Sequence, residues 1–153
     1  MYYCYTFVLN LNNKIMSPVK KLIKSRNENL FDAWNLNFIP LNQNNIRLGG
    51  KLFVTNENLY FDVRFDTSLS GMLDEIANSI ITQFDSSLSI SQEILNQWKD
   101  NGYLIIPKSE IEEVTEKKSF FKKTVTIKLS DDSEYLFDYG MLPVTKIAKA
   151  IRK

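Results

Sequence analysis

The chain has 153 residues, 44 % of them hydrophobic and 24 % charged, with a formal net charge of +1. That length suits one domain able to bury its own core, and the near-neutral balance argues against a strongly basic nucleic-acid binder. One cysteine, Cys4, and no histidine exclude an internal disulfide, the usual zinc ligand sets and histidine-dependent triads.

The apolar run within Met1 to Ile15 has no Lys or Arg before it and no small-residue cleavage site after it. It does not read as a signal peptide, and no stretch approaches the roughly 20 apolar residues of a membrane span. Two readings stand side by side: Met1 to Leu11 as an added strand, or Met16 as the natural start. Ser17 then caps a short helix with Pro18 at its first position. Val19, Leu22 and Ile23 recur at helical spacing while Lys20, Lys21, Lys24 and Arg26 face away.

From Leu30 the pattern alternates through Trp34, Leu36 and Phe38 and stops at Pro40, which predicts a strand. After the polar loop Asn42 to Arg47, Gly49-Gly50 reads as a turn or bulge. Lys51 to Val54, the turn residues Thr55-Asn56-Glu57-Asn58, and the alternating Leu59 to Phe65 then predict a hairpin. Between Thr67 and Asn101 the period becomes helical: Leu69, Met72, Leu73, Ile76, Ile80 and Phe84 share one face. A second short helix follows, with Ser89 and Gln92 at capping-box spacing and Asn101-Gly102 as its stop.

Strands resume at Tyr103 to Ile106, Ile111 to Glu116, Phe121 to Leu129 and Tyr135 to Tyr139. The end is an amphipathic helix with Pro143 at its first position and Val144, Ile147, Ala148 and Ile151 on one face. The expected class is mainly β (α+β): seven antiparallel strands, a helical insertion at 67–101 between strands 3 and 4, and a covering C-terminal helix. Residues 1–29 form an N-terminal extension and 30–153 the domain. The expected core is Trp34, Leu36, Leu52, Val54, Leu59, Phe61, Ile105, Ile111, Val125, Ile127, Leu136, Ile147 and Ile151.

Three segments carry a family resemblance. Gly49-Gly50-Lys51-Leu52-Phe53-Val54-Thr55-Asn56-Glu57-Asn58-Leu59-Tyr60-Phe61 resembles a hairpin of the form G-x-L-x-(L/V)-T-N-x-x-(L/I)-x-F. Ile106-Pro107-Lys108-Ser109-Glu110-Ile111-Glu112-Glu113-Val114 is similar to I-P-x-x-x-I-x-x-V. Val125 to Leu129, a turn, and Tyr135-Leu136-Phe137 are similar to L-x-I-x-x-x-D-G-x-x-Y-x-F. These are the marks of the GRAM domains, members of the pleckstrin-homology superfold. The long 67–101 insertion and Asp132-Ser133 in place of Asp-Gly depart from the pattern. The resemblance implies a split seven-stranded barrel capped by a helix, and docking to membranes, phosphoinositides or proteins without catalysis or cofactor. It further implies a cytoplasmic protein, either free or peripheral at the inner face of the membrane.

Charge is unevenly spread. Lys14 to Arg26, Lys117 to Lys128 and the final helix hold fourteen of the nineteen basic residues, whereas Glu57 to Glu116 holds twelve acids against three bases. Lys117, Lys118, Lys122 and Lys123, with Phe120 and Phe121 between them, read either as an edge that meets an anionic membrane or as lysines solubilising a hairpin while Phe121 faces the core. In the first inter-strand loop, where pleckstrin-type headgroup sites lie, only Arg47 and Lys51 are basic. Ile80, Ile81, Phe84 and Trp98 of the insertion exceed what one buried face needs: either Met72, Ile76, Ile80 and Trp98 pack on the barrel wall, or the surplus marks an interface for a homodimer or protein partner. A small enzyme using Asp62, Asp66 or Glu75 is the competing class, but no phosphate-binding glycine pattern accompanies them. Glu110, Glu112, Glu113 and Asp131-Asp132 lack calcium-loop spacing, and Cys4 has no neighbouring base in sequence.

Overall fold

The structure, a computed structural model, describes residues 16–40, 48–63 and 100–153. The expected strand at 1–11, Arg47, and nearly all of the insertion, including Asp66, Glu75, Ile80, Ile81, Phe84 and Trp98, lie outside the described residues.

Helix α1, Pro18–Ser25, starts as its sequence requires: the Ser17 hydroxyl accepts the Lys20 N–H at 3.3 Å and Pro18 sits where no amide hydrogen is needed. Val19 and Ile23 are buried, and Lys20, Lys21, Lys24 and Arg26 are exposed. The helix ends at Asn27, whose φ is 55°. There the Asn27 N–H donates to Lys24 O at 3.1 Å and the Glu28 N–H to Ile23 O at 3.2 Å, the paired bonds of a left-handed helix stop. That stop turns the chain so that Glu28 is buried rather than in water.

Seven antiparallel strands follow among the described residues, β1 Leu30–Pro40, β2 Leu48–Thr55, β3 Asn58–Val63, β4 Tyr103–Pro107, β5 Ile111–Lys118, β6 Lys123–Leu129 and β7 Glu134–Asp138. They form one open sheet in the order β4-β3-β2-β1-β7-β6-β5. Helix α2, Thr145–Arg152, closes the chain. The fold is therefore mainly β, with two helices among the described residues, one of them C-terminal.

Register explains the core. Trp34 pairs with Leu52, Leu52 with Phe61, and Phe61 with Leu104, so one apolar row crosses β1 to β4. A second row joins Leu48, Phe38, Phe137 and Val125. Both rows belong to one buried cluster with Ile147, Ala148 and Ile151 of α2. At its centre the Phe38 ring lies 5.5 Å from Phe61, 5.6 Å from Tyr135 and 5.8 Å from Phe137, spacings at which tilted aromatic pairs attract. On the other face α1 lays Val19 and Ile23 over Phe53 and Tyr60, with Leu22, Ala33, Tyr103 and Ile105 around them. The β2–β3 hairpin is thus covered on both sides.

Several expectations are corrected here. Ile105 and Leu136 are only partly buried: in β4 it is Leu104 and Ile106, and in β7 Tyr135 and Phe137, that point into the main core. Ile111 is partly buried and packs against that core. Gly49 and Gly50 are not a turn but lie inside β2. Gly50 is required by a close approach, since an added Cβ would lie 2.5 Å from the Asp62 carbonyl oxygen and 2.6 Å from the Phe61 ring. β6 begins at Lys123 rather than Phe121, and α2 begins after Val144, so Pro143 precedes the helix rather than opening it.

Polar contacts fix α2 against the sheet. Arg152 donates to the Glu116 carboxylate at 3.0 Å and to Val114 O at 2.7 Å. Lys108 donates to Ala150 O at 2.9 Å, placing a cation at the negative end of the helix. Burial, reinforced by the nearby Lys153, lowers the Lys108 pKa. Among the described residues, no helix is long and apolar enough to cross a membrane.

Candidate functional site

β5 and β6 pair down to Lys118 opposite Lys123, leaving Ser119 to Lys122 as the connecting turn. The turn satisfies its own polar groups. The Ser119 N–H donates to Lys122 O at 3.0 Å, the Ser119 hydroxyl donates to the same oxygen at 2.6 Å, and the Lys122 N–H returns to that hydroxyl at 3.1 Å. With its backbone closed locally, the turn needs no core contact to hold its shape. Phe120 and Phe121 project from its apex, 82 % and 76 % exposed, their rings edge to face at 4.8 Å. Phe121 accordingly does not face the core, and the purely solubilising reading of the lysines leaves two exposed phenylalanines unexplained.

The surrounding charges are unequal. Lys118 lies 3.2 Å from Glu116, and Lys122 lies 3.9 Å from the buried Asp138. Hydrogen bonds from Arg152 and then Lys118 hold the Glu116 carboxyl below the usual range, so it remains ionised. Lys123 donates to Met141 O at 2.9 Å, and Lys117 is exposed. Four ammonium groups in seven consecutive residues therefore face two carboxylates, and the balance at this end is positive.

The tip is also tied to the β7–α2 connection. The Lys123 N–H donates to Gly140 O at 2.7 Å and the Tyr139 N–H to Lys123 O at 3.0 Å. Asp138 accepts the Gly140 N–H at 2.8 Å, and Gly140, at φ 63°, takes a conformation that an L side chain resists. Met141 and Leu142 follow, 65 % and 55 % exposed. Sequence reasoning missed this pair; the available signal was a loop, Gly140-Met141-Leu142-Pro143, with apolar residues where Asn, Asp or Ser usually stand.

Other predicted residues are not brought here. Lys51 lies in β2, separated from β6 by β1 and β7 in the sheet, with its ammonium 5.5 Å from the Phe53 ring centroid. Asp62 lies in β3 opposite Lys51. Among the described residues no group of three or more His, Cys, Asp or Glu could hold a metal ion. A shallow depression of about 350 Å³ has Asn35, Leu36, Asn37, Gly49 and Gly50 in its lining, none of them charged among the described residues.

A buried polar cluster beneath α1 also went unread in the sequence. The Glu28 carboxylate accepts from Tyr60 at 2.6 Å, from the Asn58 amide at 2.8 Å and from the Thr55 hydroxyl. Thr55 in turn accepts the N–H groups of Asn58 at 2.9 Å and Glu57 at 3.2 Å. Burial, and then the Glu28 carboxylate, push the Tyr60 phenol up to about 12. Each donor is already matched to an acceptor, so the cluster is a clasp between α1 and the β2–β3 turn rather than a ligand site.

No family model matches the sequence, and no curated protein matches it. Among solved structures, the chain is similar to the C-terminal domain of an unknown protein from Leishmania infantum. That similarity has a TM-score of 0.54 and 14 % identity, and covers 88 % of this chain and 94 % of that one. At that identity the likeness concerns the fold alone.

Proposed function

We propose that this chain is a non-enzymatic docking module of the GRAM/pleckstrin-homology-like kind, and that it binds anionic membrane surfaces through the β5–β6 tip. Support for the fold reading comes from strand order and motif placement. In the order β4-β3-β2-β1-β7-β6-β5 with a terminal helix, a sheet that curls about its inner face becomes a split barrel with α2 over the gap. The three family-like segments fall on the β2–β3 hairpin, the β4–β5 turn and the β6–β7 pair.

The observation that carries the function is the exposure of Phe120 and Phe121 at the apex of a turn flanked on both sides by lysine pairs. Aromatic side chains enter the boundary between headgroups and acyl chains, while lysines behind them meet anionic headgroups at about 1 kcal/mol each. The two forces need each other: the lysines draw the tip to the surface, and the rings hold it there.

Co-sedimentation with vesicles tests this. The protein should pellet with phosphatidylcholine/phosphatidylserine vesicles and not with phosphatidylcholine alone, and raised salt should release it because exposed charges are screened. Lys117→Glu should weaken pelleting and Phe120→Ser/Phe121→Ser should abolish it, each without changing the urea midpoint, since Lys117 and both rings are exposed. A parent protein that never pellets with anionic vesicles refutes the proposal.

A further inference from the structure

We infer that the β7–α2 connection is a second bilayer-inserting element, so that Met141 and Leu142 enter an anionic phospholipid surface together with Phe120 and Phe121. This deepens the membrane-docking reading and rests on it.

Exposure singles these residues out. Six large apolar side chains among the described residues are exposed, and the four most exposed are Phe120, Phe121, Met141 and Leu142, at 82, 76, 65 and 55 %. The remaining two, Met16 and Leu30, stand at 42 % each. Scattered exposed hydrophobes are ordinary; a concentration of the four most exposed in two connected loops calls for a cause.

Connection is the second observation. The loops do not merely share an end of the sheet: Lys123 bonds through its backbone to Gly140 and Tyr139 and through its ammonium to Met141 O. A displacement of either loop must therefore break bonds to the other, and the two present their side chains as one body. The connection is also pinned from behind, because Val144, two residues after Leu142, is fully buried in the main core. Asp138, the acid between the loops, is 2 % exposed and occupied by the Gly140 N–H and by Lys122 at 3.9 Å, so it presents little bare carboxylate to an anionic surface.

Charge chooses the occupant. Lys117, Lys118, Lys122 and Lys123 stand directly beside the apolar apex, the layering that a bilayer offers in reverse: anionic headgroups outside and acyl chains within. Two anchored loops would also fix the tilt of the protein on the membrane, which one hairpin tip could not.

Site-directed fluorescence on the full chain, in a Cys4→Ser background, provides the test. An environment-sensitive dye is placed singly at Phe120→Cys, Met141→Cys, Leu142→Cys and, as an outward control, Asn35→Cys. With phosphatidylcholine/phosphatidylserine vesicles, dyes at 120, 141 and 142 should shift to the blue and be quenched by lipids brominated in the acyl chain, and the dye at 35 should not. In unlabelled protein, Leu142→Ser should lower vesicle affinity about tenfold with the urea midpoint unchanged. A response at 120 with none at 141 or 142 overturns the second element and leaves the tip reading intact. No response at any site, with no pelleting, overturns both. If Leu142→Ser instead abolishes self-association seen by sedimentation equilibrium and leaves vesicle binding unchanged, the surface belongs to a second copy and the inference fails.

Discussion

Removing the carboxylate of Glu28 should cost this protein a large part of its stability, although the residue is a single acid in a polar stretch of sequence. In Glu28→Ala the Tyr60 hydroxyl, fully buried, loses its acceptor at 2.6 Å. Thr55 escapes that fate, because its hydroxyl can turn to Asn58 O at 3.1 Å. The Asn58 amide keeps the Tyr60 hydroxyl oxygen as a second acceptor at 3.4 Å. A buried O–H left without its acceptor and the lost bonds to a charged acceptor together come to about 3 kcal/mol. The half-exposed Arg26, 4.0 Å from Glu28, adds little. With a urea slope of about 1.5 kcal/mol/M, the unfolding midpoint should fall by about 2 M. Tyr60→Phe alone should cost about 1 kcal/mol, and less in the Glu28→Ala background, where its O–H has already lost its acceptor and its oxygen keeps only the long bonds from Arg26 and Asn58 at 3.4 Å each. Equilibrium urea unfolding of the four proteins in this cycle measures the coupling. Additivity within about 0.5 kcal/mol, or a cost for Glu28→Ala below about 1 kcal/mol, would refute the clasp as described.

Gly50→Ala should destabilise by about 1–3 kcal/mol, because the new methyl meets the Asp62 backbone and the Phe61 ring; Gly49→Ala, which meets only the Asn37 side chain at 3.7 Å, is the paired control in thermal unfolding. Tyr135→Phe should leave stability within about 1 kcal/mol of the parent, on the favourable side, since the buried Tyr135 hydroxyl has no hydrogen-bond partner among the described residues. Tyr60, ordinarily ionising at 10.0 and held at about 12 by burial and Glu28, keeps its proton longer folded than unfolded. Its contribution is intact below pH 10.0 and declines as pH rises toward about 12, and spectrophotometric tyrosine titration should show a late step that Tyr60→Phe removes.

Strand alternation made β1, β2 and β3 legible, because Trp34, Leu36, Phe38, Leu52, Leu59 and Phe61 keep one phase and Asn35 and Asn37 between them on β1 are polar. The phase failed where both faces are apolar. In Tyr103-Leu104-Ile105-Ile106 every residue is a plausible core residue, and only the covering of the outer face by α1, which takes Tyr103 and Ile105, decides that Leu104 and Ile106 point inward. Tyr135-Leu136-Phe137 is ambiguous in the same way. Phe121 was misplaced because the alternation through Val125 and Ile127 was extended across the turn that Ser119 closes. At the tip, the lysines were visible as a charge cluster, but the contribution of Met141 and Leu142 depends on a backbone pairing between Lys123 and Gly140 that no local pattern encodes. Glu28 was invisible for a related reason, since its partners Thr55, Asn58 and Tyr60 are about thirty positions away.

The double covering of the β2–β3 hairpin has a consequence for how the native state opens. Leu52, Val54, Leu59 and Phe61 belong to one buried cluster while Phe53 and Tyr60 belong to the other, so the amides of this hairpin cannot reach solvent by the loss of a single layer. Undocking α1 bares one side only, and fraying at the open strands β4 and β5 leaves the central pairing intact. Deuterium should therefore enter the β2–β3 amides only through global unfolding, at a rate that tracks total stability in denaturant. Amides of α1 and of the Ser119–Lys122 turn should exchange earlier through local openings. The segment most protected in time is then the hairpin that bears the family-like motif, and the proposed docking tip is free to open and close without disturbing it.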